Sequence, residues 1–319
     1  MPRFCGSAMR QRRARMTTIL FVLGMARSGT SAMTRVLALS GAALPPGMIG
    51  AAKANPRGFW EPRQASYLND KILRRHHSRS ADPTLRLHEK AAEKRDISEI
   101  HAYLAALQQA DLYVIKDLQI TPIAGMWFEA ARMTGYNPAA VIAVRHPDEV
   151  MKSVTAMMPI VKPELAAALW LKNSLLAERY TRGLPRVFME YGNLLHDWRR
   201  EVARISKALN IDLNPNEVAI DEFLAADECH QQADGSACPE PFGADWLTTT
   251  YRNLHRAAAS ETWSQDELDR VFCDYRVNEQ RLGTALENYQ QVTRAQRFIP
   301  RKLVLEIAAL LHRRKGTWA

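Results

Sequence analysis

The sequence has few cysteines, and their spacing matches no known framework. Its 319 residues include only Cys5, Cys229, Cys238 and Cys273. Small secreted domains held together by disulfides carry cysteines at much higher density, so this scarcity excludes such a scaffold and favours a reducing cytoplasm. The group Cys229, His230 and Cys238 also lacks the paired spacing and the fourth ligand of a structural zinc site, and we expect no metal.

Long apolar runs are missing as well. No segment approaches the ~20 apolar residues of a membrane-spanning helix. The first fifteen residues are rich in arginine and contain no apolar stretch of the kind found in secretory signals. Because Met16 directly precedes the first apolar run, we interpret residues 1–16 as a basic arm that is disordered or lies upstream of the true start.

The middle of the chain lacks an excess of positive charge. The net charge is +9, but residues 1–16 carry five arginines and no acid, and residues 294–319 carry seven Lys/Arg and one acid. The part between them has 31 basic and 33 acidic residues, so its bulk charge selects no partner. A nucleic-acid-binding protein that uses its basic ends is therefore only an alternative, and we expect no nucleic acid as partner. The basic C-terminus predicts at most a weak peripheral contact with a membrane surface.

Four short apolar runs have the pattern of strands buried in a parallel sheet. They cover residues 17–23, 113–116, 140–144 and 186–189, and helical patterns separate them. This alternation predicts an α/β fold over residues 17–215, with a P-loop-like parallel sheet flanked by helices on both faces. Residues 216–319 predict a loop and a helical appendage on the same domain. Its helices are expected from the capping box Ser264–Glu267 to about residue 290 and over residues 303–311.

A glycine loop follows the first predicted strand. The segment Gly24–Ser31 has the spacing of the nucleotide P-loop, in which backbone N–H groups and a helix N-terminus hold phosphate oxygens. Thr30 stands where the P-loop lysine would be, and Arg27 supplies a cation inside the loop instead. This arrangement suits a single 5′-phosphate better than a triphosphate with magnesium. The residues expected to bind are Gly24, Arg27, Ser28, Gly29, Thr30 and Ser31.

A second anion site is predicted where the third strand ends. Arg145 lies there, Pro147 suits the first turn of a helix, and Ser153 follows eight residues after Arg145. A helix rises about 1.5 Å per residue, so the Ser153 hydroxyl and the Arg145 guanidinium can share one phosphate. A separate second phosphate site fits a nucleotide that carries a 3′-phosphate, which ATP lacks.

Together, the loop and the Arg145-x7-Ser153 pair resemble the two phosphate motifs of the sulfotransferase family. The resemblance covers about residues 17–210. It implies 3′-phosphoadenosine 5′-phosphosulfate (PAPS) as co-substrate, Arg27 close to the transferring group, and Tyr191, after the fourth strand, near the adenine. For Tyr191 the alternative is an aromatic residue that packs on the following helix.

The same resemblance points to catalytic residues. In carbohydrate-type and bacterial sulfotransferases a glutamate about thirty residues after the loop acts as base, and Glu61 has the corresponding place. An apolar neighbourhood of Phe59 and Trp60 would raise its pKa. Lys116, at the end of the second strand, would stabilise the leaving oxygen or the sulfuryl group. Asp117 would orient the acceptor or compete as base, but Leu118-Gln119 follows it where the family pattern has Pro-Arg, which leaves its role open.

The sequence therefore predicts transfer of a sulfuryl group to a hydroxyl, or as second choice an amine, of an acceptor such as a glycan, lipid or secondary metabolite. The rival enzyme is a P-loop kinase of a nucleotide or small molecule, in which the strand ending at Asp117 would supply an acidic magnesium site. Neither the acceptor nor the oligomeric state can be read from the sequence.

Overall fold

The computed structural model describes residues 17–52, 55–88, 92–225, 238–279, 283–298 and 301–315. The predicted basic arm, residues 1–16, lies outside this part of the chain, as do Cys229 and His230 of the cysteine group considered above.

Four parallel strands form a single sheet in the order β2-β1-β3-β4. They are β1 (Thr18–Leu23), β2 (Leu112–Ile115), β3 (Asn137–Val144) and β4 (Arg186–Glu190). All four predicted strands are present. β3 begins three residues before its apolar run because Asn137 already pairs with Thr18 of β1, whereas pairing with β4 starts only at Ala140.

Helices connect and cover these strands. They are α1 (Thr30–Leu39), α2 (Arg63–Arg75), α3 (Lys94–Ala105), α4 (Ala124–Met133), α5 (Pro147–Met157), α6 (Pro163–Tyr180), α7 (Tyr191–His196), α8 (Trp198–Leu209), α9 (Glu217–Ala225), α10 (Trp246–Ala258), α11 (Gln265–Val277), α12 (Gly283–Phe298) and α13 (Arg301–Lys315). None of the helices in these described ranges is both long and apolar enough to cross a membrane.

The sheet is buried on both faces, as its apolar runs predict. Side chains alternate along a strand, so Ile19 and Phe21 face one core while Leu20 and Val22 face the other. The first core is closed by helices that include α4, α6, α10, α11 and α12, and the second by α1, α8 and α9. The predicted α/β fold with helices on both faces is confirmed.

The C-terminal helices contribute to the same core as the sheet. Trp246 of α10 and Tyr275 of α11 are buried in the cluster that contains Ile19 and Phe21. Ser264 caps α11 as predicted, since its hydroxyl accepts a hydrogen bond from the Glu267 N–H at 3.2 Å.

The single long helix predicted from Ser264 to about residue 290 is wrong. α11 ends at Val277, and α12 begins at Gly283. The Glu279 side chain, just past the end of α11, accepts a hydrogen bond from the Leu85 N–H at 2.8 Å. α12 then packs on α6, and the Asn288 amide donates to the carbonyl of Ile160, in the turn before α6, at 2.7 Å. The two helices thus have different tertiary partners, which one straight helix would not reach.

Candidate active site

The site lies where the direction of strand connection reverses. From β1 the chain passes to β2 on one side, and β3 then pairs with β1 on the other side. In open parallel sheets, ligands bind outside the carboxyl ends of the strands at such a switch point. The glycine loop follows β1 and Arg145 follows β3, so the topology brings both predicted anion motifs to one crevice.

The glycine loop needs its first glycine because it passes very close to β3. A Cβ on Gly24 would lie 2.8 Å from the Ala143 carbonyl oxygen, and the φ of Gly24 is +128°. The loop is also tied to the segment after β2, since the Gly24 N–H donates to the Thr121 hydroxyl at 3.2 Å. The loop is therefore fixed by both strands that neighbour β1.

The second glycine precedes α1 and leaves the N-terminus of that helix without a side-chain cap. Gly29 is the N-cap residue, with φ +84°, and no side chain caps the helix there. The first N–H groups of a helix have no intrahelical partner, and the helix dipole adds partial positive charge at this end. The start of α1, at Thr30 and Ser31, thus has the open N-terminus that the predicted anion site requires.

Tyr191 packs against this loop. A Cβ on Gly29 would lie 2.2 Å from the Tyr191 ring, and the Arg145 guanidinium carbon is 4.9 Å from the centre of the same ring. Tyr191 therefore contacts both predicted anion motifs.

Arg27, Arg145 and Ser153 form one cluster. The Arg27 Nε donates to the Ser153 Oγ at 2.9 Å, and the Arg145 Nη1 donates to the Arg27 carbonyl at 2.9 Å. The Arg145 Nε also bonds the Glu149 carboxylate at 2.7 Å. The sequence predicts two separate phosphate sites, whereas here the cation of the first motif contacts the serine of the second.

Arg27 and Arg145 line a cleft of about 100 Å³, whereas Gly24, Ser28 and Ser153 are not part of its lining. Its lining includes three arginines and no carboxylate: Arg27, Gly29, Thr30, Ser31, Ala32, Asn55, Arg57, Gly58, Arg145, Tyr191 and Phe223. Arg57 was missed at the level of sequence. Its Nη1 donates to the Phe223 carbonyl at 2.8 Å, a contact across 166 residues that no local motif signals.

Glu61 and Lys116 form a buried ion pair behind the start of α1. Their side chains are only 4% and 2% exposed, and the Lys116 Nζ lies 2.7 Å from the Glu61 Oε1. The same Nζ is 3.2 Å from the Phe59 carbonyl and 3.4 Å from the Ser31 Oγ, which belongs to the cleft lining. The structure thus brings the two predicted catalytic residues together, one layer behind the cleft.

The surroundings of Glu61 differ from the apolar neighbourhood that the sequence predicts. Its partner is the Lys116 cation. The Trp60 ring lies 4.4 Å from the Arg35 guanidinium carbon, and its indole N–H donates to the Arg57 carbonyl at 2.8 Å. The aromatic segment therefore shapes the loop through polar contacts.

Asp117 is turned into the protein interior. One carboxylate oxygen accepts a hydrogen bond from Ser66, and the other accepts from the Asn69 amide at 3.0 Å and the Gln119 N–H at 2.9 Å. The residue is 1% exposed and is not part of the cleft lining. These contacts describe a carboxylate that fixes the turn after β2 against α2.

His146, next to Arg145, makes structural contacts. Its Nδ1 accepts a hydrogen bond from the Asp148 N–H at the start of α5, and its ring packs edge-on against Tyr251 at 4.8 Å. Burial lowers the pKa of His146, against the opposing effect of nearby carboxylates such as Glu149. It lines a second hollow on the other side of Tyr191, together with Glu149, Glu190, Tyr191, Gly192, Leu195 and His196.

Within the described ranges, one group of side chains has the composition of a metal site: His76, Glu93 and Asp96. Asp96 is already ion-paired with Arg75, and its second oxygen lies 2.6 Å from the His76 Nε2. The group lies between α2 and α3 and includes no residue of the cleft lining.

Several solved structures resemble this chain at low sequence identity. No protein-family model and no curated protein matches the chain. Among solved structures, the sulfotransferase domain of the Synechococcus PCC 7002 olefin synthase is 17% identical, with a TM-score of 0.41 over 82% of this chain and 96% of that one. STF9 from Mycobacterium avium is 16% identical, with a TM-score of 0.43 over 82% and 76% of the two chains. STF1 from Mycobacterium tuberculosis H37Rv is 15% identical, with a TM-score of 0.34 over 77% of each.

All three are sulfotransferases. Because every TM-score is below 0.5, we base the activity proposed below on the residues of this chain.

Proposed function

We propose that the chain is a PAPS-dependent sulfotransferase that transfers a sulfuryl group to a hydroxyl, or as second choice an amine, of a small-molecule, glycan or lipid acceptor. The observation that carries the proposal is a single cleft that combines the open start of α1 with Arg27 and Arg145, and Arg27 in turn bonds Ser153 beside the cleft. A donor with anionic groups at both its 5′ and 3′ positions matches these two features.

The hydrogen-bond donors of the cleft suit such a ligand. Backbone N–H groups at a helix start bind phosphate oxygens, and arginine binds phosphate in a bidentate manner. The cleft lining offers both and includes no carboxylate that would repel an anion. The residues that would hold the 5′-phosphosulfate are Gly24, Arg27, Ser28, Gly29, Thr30 and Ser31; those that would hold the 3′-phosphate are Arg145 and Ser153, with Tyr191 beside the nucleoside.

The ion pair of Glu61 and Lys116 supplies the acid–base chemistry. PAPS carries an activated sulfuryl group whose bond to the 5′-phosphate breaks as the acceptor oxygen bonds to sulfur. Glu61 accepts the proton that the acceptor hydroxyl loses. Lys116 positions Glu61 and brings a positive charge to within 3.4 Å of Ser31, beside the anion-binding start of α1, where negative charge develops on the leaving oxygen.

A P-loop kinase is disfavoured by two observations. Thr30 stands in place of the lysine that reaches the β- and γ-phosphates. Asp117, the acid that would hold magnesium, is instead bonded to Ser66, Asn69 and the Gln119 N–H.

The proposal is tested by calorimetric titration with adenosine 3′,5′-bisphosphate and adenosine 5′-monophosphate. We expect the bisphosphate to bind at least about tenfold more tightly, since one charge-assisted contact is worth ~1.5–3 kcal/mol. Arg145→Ala should abolish this preference. Arg132→Ala, an exposed arginine on α4, is the matched control and should keep it.

Two results would contradict the proposal. Equal affinity of the wild-type protein for both nucleotides would show that no site recognises the 3′-phosphate. Transfer of labelled phosphate from ATP, without transfer of labelled sulfate from PAPS, would identify a kinase.

A further inference from the structure

α13 exposes an apolar face to solvent. Leu303, Val304, Ile307, Leu310 and Leu311 are each 47% to 57% exposed. Their spacing places them on one side of the helix. The largest exposed apolar patch of a monomer, typically about 300–600 Å², is often a functional site. We call these five residues the outer face of α13.

The opposite side of α13 is docked on the protein. The Glu306 carboxylate accepts a hydrogen bond from the Tyr67 hydroxyl at 2.6 Å and lies 3.8 Å from the Arg63 guanidinium, both on α2. Ala309 and His312 are buried at 6% exposure each. These contacts fix which side of the helix faces the protein.

The segment that contains α13 is strongly basic. Residues 294–319 contain seven Lys/Arg, and Glu306 is their only acid. Glu306 is engaged on the inner side by Tyr67 and Arg63. Lys302 and Arg313, near the two ends of the helix, are exposed. Helical spacing places both on the stripe of Glu306 and Ala309, so α13 combines an apolar outer face with exposed cations near both ends of its polar side.

We propose that the outer face of α13 docks on an anionic lipid bilayer, with its apolar side chains at the acyl boundary and its cations at the headgroups. Anionic lipids attract basic residues by about 1 kcal/mol each near the surface. A helix of 15 residues is only ~22 Å long, so α13 lies in the interface. This docking does not depend on the transfer chemistry proposed above.

A second copy of the chain is a poorer occupant of this face. Both ends of α13 are cationic, so parallel and antiparallel pairing of two copies would each bring like charges together. A bilayer of anionic lipid complements both ends at once.

The test is cosedimentation of the full chain with vesicles of phosphatidylcholine alone or mixed with phosphatidylglycerol. We expect binding to the anionic vesicles at least about tenfold tighter than to the neutral ones, and weakened by added salt. The triple variant Leu303→Ser, Ile307→Ser, Leu310→Ser should lose about tenfold or more in affinity for the anionic vesicles. The pair Lys302→Ala, Arg313→Ala should lose affinity for the anionic vesicles only.

The matched control is the double variant Val218→Ser, Val277→Ser. These valines are more exposed than the outer-face residues, at 69% and 78%, and lie on α9 and α11. The control should bind vesicles like the wild type, and all variants should retain their thermal transition and their affinity for adenosine 3′,5′-bisphosphate.

The proposal is overturned if the wild-type protein does not bind anionic vesicles or if the triple variant binds them as tightly as the wild type. It is also overturned if light scattering shows a dimer that the triple variant converts to monomer, since the outer face would then be covered by a second copy. Nucleotide affinity is measured separately, so failure of the lipid test leaves the proposed enzymatic function unaffected.

Discussion

Gly29 is constrained both by its positive φ and by the close approach of Tyr191. Gly135 has the positive φ without a close neighbour, so the two effects can be compared. Gly29 and Gly135 have nearly the same φ, +84° and +83°, but a Cβ would meet Tyr191 at 2.2 Å in the first and nothing within 4 Å in the second. Gly135→Ala should cost about 1 kcal/mol from backbone strain alone.

Gly29→Ala should cost more, because Tyr191 must move, and should weaken binding of adenosine 3′,5′-bisphosphate by about tenfold or more, since the start of α1 shifts. Urea unfolding and calorimetric titration measure the two effects. Equal behaviour of the two alanine variants would show that Tyr191 does not hold the loop.

At Glu61, chemistry can be separated from binding. If Glu61 accepts the acceptor proton, Glu61→Gln should lower kcat by ~100-fold or more and leave nucleotide affinity within about twofold. Glu129→Gln, an exposed glutamate on α4, is the control. The readout is sulfate transfer from labelled PAPS to a panel of soluble alcohols. A change confined to KM would instead assign Glu61 to acceptor binding.

The residues that could be predicted are those whose role is set by nearby sequence. The glycine loop and Arg145 follow directly from strand ends, and the fold brings them into one cleft. The partner of Glu61 is 55 residues away in the sequence, and Arg57 reaches a carbonyl 166 residues away. Such pairings depend on tertiary packing, which is why neither the Glu61 ion pair nor the inward turn of Asp117 could be predicted.

At the scale of elements, a buried lysine of α6, Lys172, joins this helix to the segment after α2. The Lys172 Nζ bonds the Asp82 carbonyl at 2.5 Å, and both side chains are almost fully buried. Burial lowers the pKa of Lys172, while the charge of Asp82 acts in the opposite direction. Asp82→Asn leaves the buried lysine without its nearby negative charge.

We expect Asp82→Asn to destabilise the protein by roughly 1–3 kcal/mol, because the buried carboxylate loses charge-assisted hydrogen bonds from Ser78 and Thr84 and Lys172 loses a nearby negative charge. Lys172→Met added to Asp82→Asn should recover part of that loss, because it removes a buried charge. Urea unfolding of the single and double variants measures the coupling. Additive losses would show that the two charges do not interact.

Helices and strands could be predicted where their own residues determine their ends. The strands are apolar runs buried on both sides, and the Ser264 capping box marks the start of α11. The end of α11 is different, because the chain just beyond it meets a distant segment, where Glu279 accepts a hydrogen bond from the Leu85 N–H.

The whole molecule should lose stability in acid. Burial raises the pKa of Glu99, but hydrogen bonds from Lys71, Arg75 and Arg95 outweigh it and lower the pKa to about 2. Burial likewise opposes a low pKa at Asp82, and Lys172 and Thr84 lower it nonetheless.

A carboxyl group whose pKa is lower in the folded state contributes stability above its unfolded pKa of about 4, and this contribution is lost as the pH falls through the folded value. We therefore expect the melting temperature to decline steeply between about pH 4 and pH 2. Glu99→Gln removes one such group, so its melting temperature should differ from that of the wild type at pH 7 and converge with it at about pH 2. A difference that stays constant over this range would mean that Glu99 acts through packing alone, since packing does not titrate.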